Sequence, residues 1–210
     1  MRRWLRASGP VMACAVLTAA GNLGAQAPGT TTFNAPYRAF DHSEFGVYFS
    51  LPGDPLLNTR GTAFEGFYRL ATGGFDVGVK AGILDPREPR DPDLLLGLEA
   101  RQRVLTQSSR FPLDAALVLG VGGKLTSGHS QLIVPAGVSL GYRFDAKGTG
   151  VSVEPYLQPT YLRTVEAGKS QAVFAIGLGV DVRLNRGFDV RLGSGLGGLE
   201  GGSLGAVWVH

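Results

Sequence analysis

The chain is nearly devoid of cysteine and histidine, with one Cys (Cys14) and three His in 210 residues. A disulfide needs two thiols and a structural metal site about four ligands, so neither is expected. It also lacks any unbroken apolar run of 18 residues or more, which excludes a membrane-spanning helix. No segment carries a 3.6-residue hydrophobic period, and low-complexity tracts and collagen-like repeats are absent despite 32 glycines. What is present in quantity is short-range alternation.

The first 27 residues stand apart. Arg2, Arg3 and Arg6 precede the ten-residue apolar stretch Val11–Ala20, and Ala25-Gln26-Ala27 forms a small-residue cleavage site. This is the order of a secretory signal peptide, residues 1–27, cut after Ala27, or after Ala25 because Pro28 disfavours the later position. Cys14 precedes most of the apolar run, which is the wrong place for a lipoprotein cysteine. Three of the 20 Lys+Arg lie in this leader, leaving 17 against 17 Asp+Glu, so the exported chain is formally neutral. The alkaline isoelectric point reflects targeting, and no polybasic face remains to recruit nucleic acid. Residues 28–43 are weakly patterned and read as a periplasmic N-terminal arm or an extra half-strand. Residues 44–210 form the domain.

From residue 44 onward apolar and polar or glycine residues alternate. Phe45, Val47, Phe49 and Leu51 interleave with Glu44, Gly46, Tyr48 and Ser50. Phe174, Ile176, Leu178, Val180 and Val182 interleave with Ala175, Gly177, Gly179 and Asp181. Ten strands are predicted, at 44–52, 62–71, 74–84, 93–104, 113–124, 131–144, 150–162, 171–184, 188–196 and 203–210. Most are long for a globular sheet and match a tilted bilayer crossing of about 9–11 residues. The expectation is all-β: a closed antiparallel up-and-down transmembrane β-barrel of about ten strands, eight or twelve also fitting. Pro135, Pro155 and Pro159 fall inside proposed strands and count against uninterrupted pairing, with bulges able to flip the parity of 150–162. The inner turns are then 72–73, 105–112, 145–149 and 185–187, and the outer loops 53–61, 85–92, 125–130, 163–170 and 197–202.

Two turns set a register. A Thr72-Gly73 turn places Arg69 opposite Asp76 and Glu65 opposite Lys80. An Asn185-Arg186-Gly187 turn places Arg183 opposite Asp189, Asp181 opposite Arg191 and Val182 opposite Val190. All four charge pairs fall on the face opposite the apolar one. Arg103 faces Asp114 across a looser turn. Aromatics on the apolar parity gather at two levels: Phe45, Tyr68, Phe75, Tyr142, Phe144, Phe188 and Trp208 at one end, Phe49, Phe64, Tyr161 and Phe174 at the other. This is the pattern of aromatic girdles at two membrane interfaces.

The last eight residues read Ser203-Leu204-Gly205-Ala206-Val207-Trp208-Val209-His210. They match the polar-x-Gly-x-x-aromatic-x-aromatic strand that closes outer-membrane barrels, with His210 in place of the final Phe or Tyr. With the leader, the chain resembles a small bacterial outer-membrane β-barrel protein of the OmpA-type or porin-like group. That resemblance implies Ser203, Gly205, Trp208 and His210 as the assembly signal, the barrel-assembly machinery as a partner, and contact with outer-membrane lipid and lipopolysaccharide.

Catalytic, cofactor and metal sites are not expected. His129-Ser130 is the one nucleophile-and-base spelling, but adjacent residues project in different directions. His42 beside Asp41 and Ser43 is too sparse for a metal site. Gly193-x-Gly195-x-x-Gly198 spells a dinucleotide fingerprint before a strand, whereas that motif requires a helix. The luminal acids Glu44, Glu65, Asp76, Glu99, Glu154, Asp181 and Asp189 each have a basic neighbour on the same parity and read as structural charge pairs. Luminal Gly78, Gly82, Gly97, Gly120, Gly122, Gly137, Gly141, Gly177 and Gly179 leave room for long side chains opposite. A barrel of this size is then filled rather than hollow. The charged loop 85–92 reads as a solvated loop. The function expected is therefore a structural or envelope-associated outer-membrane barrel, not an enzyme, with at most a narrow small-solute pore. Two alternatives are a lipid-modifying outer-membrane enzyme, which requires a nucleophile–base pair at the rim, and a soluble periplasmic barrel enclosing an apolar ligand, which requires the apolar face inside.

Overall fold

A computed structural model describes Ala35, Pro36 and residues 40–53, 60–87, 91–146 and 148–210. The expected signal peptide with both cleavage positions lies outside the described residues, as does most of the segment before Phe40.

The alternation becomes ten barrel strands, in eleven hydrogen-bonded segments: β1 Glu44–Pro52, β2 Gly61–Ala71, β3 Phe75–Pro86, β4 Asp93–Leu105, β5 Asp114–Thr126, β6 His129–Gly141, β7 Phe144–Asp145, β8 Ser152–Glu166, β9 Lys169–Asn185, β10 Phe188–Gly197 and β11 Gly201–Val209. The two-residue β7 continues β6 along β8. Neighbours are antiparallel and follow chain order, and the β1–β11 and β6–β8 pairings close the ring. Among the described residues the ring is closed, with long ladders between most neighbours and a short one, Leu196↔Ile176 and Gly197↔Ala175, between β9 and β10.

Side chains sort by parity. Phe45, Phe64, Leu98, Leu119 and Phe174, among many large apolar residues, point outward and are about half exposed, whereas Glu44, Arg69, Asp76, Arg101, Asp181 and Arg191 are buried inside. This is the opposite of the soluble-barrel alternative, and it follows from the solvent on each side. Apolar side chains lie where lipid would be, and charges lie where only other charges can satisfy them. The two aromatic levels are formed by direct cross-strand neighbours: Phe45↔Tyr68, Phe45↔Trp208 and Phe188↔Trp208 at one end, Phe49↔Phe64 and Tyr161↔Phe174 toward the other.

Four local expectations are corrected. The β2–β3 turn is centred on Gly73-Gly74 rather than Thr72-Gly73: the Thr72 amide donates to the Phe75 carbonyl at 2.9 Å, and Gly73 has φ 90°. Glycine at the first central position suits such a tight hairpin. Arg69 therefore sits opposite Gly78 and Glu65 opposite Gly82. A one-residue move of the turn slides the pairing by two, so every side chain keeps its face. Second, a bulge between Arg103 and Leu105 sets Arg103 opposite Ala116, not Asp114. Third, β5–β6 and β8–β9 are joined by two-residue turns, Ser127-Gly128 and Ala167-Gly168, so the outer loops are shorter than expected. Fourth, prolines interrupt pairing without reversing a strand. The β5–β6 ladder skips from Leu119↔Ala136 to Gly122↔Ile133 around Pro135, and the β6–β8 ladder skips from Gly137↔Thr160 to Leu140↔Leu157 around Pro159. Each gap reflects the missing proline N–H. β8 nevertheless buries its even-numbered residues from Ser152 to Thr164.

Candidate functional site: the charged lumen and its mouth

The inward positions at the end of the barrel where β1 begins carry one continuous ion network. Glu44 on β1 is its centre. It accepts from Arg69 of β2 at 2.5 Å and from both terminal nitrogens of Arg191 of β10, at 2.6 and 3.0 Å. Arg69 also binds Glu99 of β4 at 2.5 Å and Asp76 of β3 at 3.3 Å. Arg101 of β4 holds Asp76 at 3.0 Å and lies 3.6 Å from Glu99. Arg191 closes on Asp181 of β9 at 3.2 Å and donates to the Tyr48 hydroxyl at 3.4 Å. Six strands are thus tied across the lumen. Arg69, Arg101 and Arg191 are at most 2% exposed, so the fork of each guanidinium is spent on carboxylates rather than water. Nearer the opposite end, Lys80 meets Glu65 at 3.3 Å and Lys124 lies 3.9 Å from Asp93.

Of the charge pairs anticipated from sequence, Arg69–Asp76 and Glu65–Lys80 come together on the diagonal rather than directly opposite. Asp181–Arg191 meets across β9 and β10. Asp189 lies 3.9 Å from Arg191 Nη2. The β9–β10 ladder pairs Leu196 with Ile176 and Gly197 with Ala175 at the far end from the turn, in the anticipated register. Near the turn Arg191 instead reaches toward β1 and Glu44. Arg101 and Tyr48, both on the luminal parity of their strands, are buried and complete the network. Gly205 has a definite role, because a Cβ there would fall on the Tyr48 ring.

Beside the Lys80–Glu65 and Lys124–Asp93 pairs, the other end of the lumen holds apolar clusters. Ala63, Leu84 and Leu95 form one cluster, and Ala35, Ile133, Tyr156, Leu162, Ala175 and Leu199 form another, with Leu199 entering from the loop after β10 and Ala35 from the segment before β1. A void of about 10 Å³ lies beside Phe67, Arg69, Lys80 and Glu99, roughly the room of one water molecule, and a cavity of about 940 Å³ is bordered by Phe67, Lys80, Gly97, Gly122 and Gln131.

Of the segment before β1, read from sequence as an arm or an extra half-strand, Ala35 lies buried against Ile133, Tyr156, Leu162, Ala175 and Leu199. Phe40 is fully buried, with the Arg101 and Arg103 guanidinium groups over its ring at 5.4 and 4.9 Å. Asp41 pairs with Arg103 at 2.8 Å, and the Phe40 carbonyl accepts from Gly73 at 2.8 Å. The Ala35 amide donates to Asp181 at 3.2 Å.

At the C-terminal strand, Ser203 lies inside and its hydroxyl is 3.5 Å from the Gly193 carbonyl. Trp208 lies outside, 5.6 Å from Phe45 and 5.4 Å from Phe188, and His210 sits 6.1 Å from Phe45 and 5.9 Å from Tyr68. The histidine thus occupies a place in an aromatic cluster. Gly193 and Gly195 lie in β10 and pair with Ser203 and Gly201, and β11 follows Gly198. His129 and Ser130 open β6 opposite Thr126 and Leu125. His42 is exposed.

No protein-family model and no curated protein matches the chain. Among solved structures, a bacterial polysaccharide outer-membrane secretin gives a TM-score of 0.47 at 12% identity, covering 86% of this chain and 67% of that one. OmpT of Vibrio cholerae, an outer-membrane protein, gives 0.36 at 11% identity, covering 90% and 76%. The β domain of the Bordetella autotransporter BrkA aligns with a TM-score of 0.52 at 13% identity, over 81% of this chain and 99% of that chain. This chain has the fold of an outer-membrane β-barrel. The apolar exterior and ion-paired interior are the two surfaces that such a fold requires.

Proposed function

We propose that this protein is exported and inserted in the outer membrane as a structural, envelope-associated barrel whose lumen its own side chains hold shut. The observation that carries the reading is the Glu44–Arg69–Arg191 junction, which spans the lumen with fully buried charges. Solute passage is at most narrow. The C-terminal strand, with Trp208 and His210 in an aromatic cluster, supports recognition by the barrel-assembly machinery, and the apolar belt supports contact with lipid and lipopolysaccharide.

The test combines location with conductance. The protein should fractionate with the outer membrane and show heat-modifiable gel migration. Purified into planar bilayers, it should give only small, rare openings. Large, stable, voltage-independent steps from the wild type would overturn the closed lumen and indicate an open pore.

A further inference from the structure

We infer that the outer wall holds a binding groove for one phosphate-bearing lipid of the outer leaflet, with an acyl chain lying across β2–β6 and the phosphate on Arg163. The inference rests on the outer-membrane reading above and gives its lipid contact a defined place.

The cavity of about 940 Å³ bordered by Phe67, Lys80, Gly97, Gly122 and Gln131 opens on the lipid side of the wall. These five stand on the luminal parity, but each is flanked in the lining by its outward neighbours, as Phe67 is by Gly66 and Tyr68 and Lys80 by Val79 and Ala81. Their inward neighbours on the same strands, such as Glu65, Leu95 and Lys124, do not border it. The cavity therefore meets the backbone of these strands from outside, and the lumen stays filled.

Its shape follows from the ladders. One cross-strand row makes the floor: Gly66↔Ala81↔Leu96↔Gly123↔Leu132↔Val165. Three of its first four positions are glycine or alanine, and a Cβ on Gly66 would find no atom nearer than 4.0 Å. Two residues along each strand, the same face carries large exposed side chains. Tyr68↔Val79↔Leu98↔Val121 form one ridge and Phe64↔Ile83↔Leu94↔Leu125 the other. Outward side chains recur every second residue, so a small row between two large rows leaves a trough.

The trough climbs toward the end of the barrel that carries the β8–β9 turn. Its floor lies five residues from that end of β2 and β3, three from that end of β4, β5 and β6, and one from that end of β8. Charge stands at the high end. Arg163, two residues before Val165, points outward and is exposed opposite Val134. Its Nε donates to the Ser170 hydroxyl at 3.0 Å, and among the described residues no carboxylate pairs with it. The cost of a charge on this face falls toward the interface, and an anion meeting the guanidinium fork offsets the remainder. A lipid with its chain in the trough and its phosphate at the rim fits both ends. The volume lies within the range of about 300–1,000 Å³ usual for small-ligand sites. A second barrel would offer a convex wall, which bridges the two ridges and leaves the trough empty.

The experiment titrates the full chain, folded in a zwitterionic detergent, with phosphorylated lipid A and counts retained lipid by native mass spectrometry. Wild type should hold one lipid. Filling the trough with Gly66→Leu and Ala81→Leu, or removing the cation with Arg163→Gln, should each weaken retention about tenfold or more, the scale of losing one hydrogen bond to a charged group. Dephosphorylated lipid A should bind wild type as weakly as the phosphorylated form binds Arg163→Gln. Unchanged retention in the filled variant would leave only an anion site at Arg163 and overturn the groove. Unchanged retention in Arg163→Gln, or equal retention of the two lipids, would overturn phosphate recognition. Two protein chains held together, and parted by filling the trough, would make the occupant a second copy and overturn the lipid. Heat-modifiable migration reports folding. If the double variant does not fold, Ala81→Phe, at an exposed position, carries the same expectation and the same refutation. An outer-membrane wild type that retains no phosphorylated lipid would refute the groove alone, whereas absence from the outer-membrane fraction would refute the reading beneath it.

Discussion

Arg191 reaches out of β10 to Glu44, Asp181 and Asp189, three carboxylates on three strands. Removing it would take a cationic partner from all three, which are buried. Breaking a buried pair from one side costs about 3–5 kcal/mol, more than the intact pair contributes, because the partner keeps its desolvation penalty. Arg191→Met should therefore destabilise the barrel by about that amount, read from denaturant unfolding in lipid vesicles or detergent. Adding Glu44→Gln should recover part of the loss, giving a coupling above roughly 0.5 kcal/mol in the double-mutant cycle. Strict additivity would show that the two side chains do not share one contact. Arg163 provides the contrast: it lies on the outer face, exposed, with its Nε 3.0 Å from the Ser170 hydroxyl. Its replacement by Leu should change stability by less than about 1 kcal/mol.

The β8–β9 hairpin shows how an element is set by its turn. Fifteen ladder pairs run from Ser152↔Arg183 to Glu166↔Lys169, and the turn between them is Ala167-Gly168 with φ 48° and 79°. Both positive angles fit the right-handed twist of the strands they join, but Ala167 carries a Cβ where glycine or asparagine is preferred. The left-handed conformation costs an L-residue roughly 1–2 kcal/mol. Ala167→Gly should accordingly raise the unfolding free energy by about 1 kcal/mol, and Ala167→Val should lower it. If Ala167→Gly proves destabilising, the turn does not have this geometry. Within the same hairpin Pro155 and Pro159 keep their pairs with β9 and present their missing N–H toward β6, where the ladder breaks at Pro159.

At the scale of the molecule, the fold separates two media. Leu98 is on the outer face, 55% exposed, midway along β4 and flanked by Val79 and Val121. An arginine there would sit in the apolar belt, and such a charge at the bilayer midplane costs about 2–4 kcal/mol. Leu98→Arg should lower stability in lipid vesicles by this amount or prevent insertion. Little change would mean that lipid does not touch this face. The outer level of the belt, where Arg163 lies near the end of β8, tolerates a charge because the penalty fades toward the interface.

Side-chain alternation alone determined which residues face lipid and which face the lumen. A period of two survives any sliding of the strands by two residues, so the faces are legible even where the register is misread. Arg69, Glu65, Asp76 and Lys80 therefore face the lumen although the turn sits at Gly73-Gly74 rather than Thr72-Gly73. Diagonal neighbours remain within reach of long charged side chains, so the pairs meet in either register. Only tertiary structure decided the partners of Arg191, because sequence spacing along one hairpin points it at β9, whereas barrel closure brings β1 and Glu44 within its reach. The same holds for the segment before β1. It has no periodicity to read, and its place is set by contacts that exist only once the ring has closed: Phe40 beneath two arginines of β4, and Ala35 on an aspartate of β9 far along the chain.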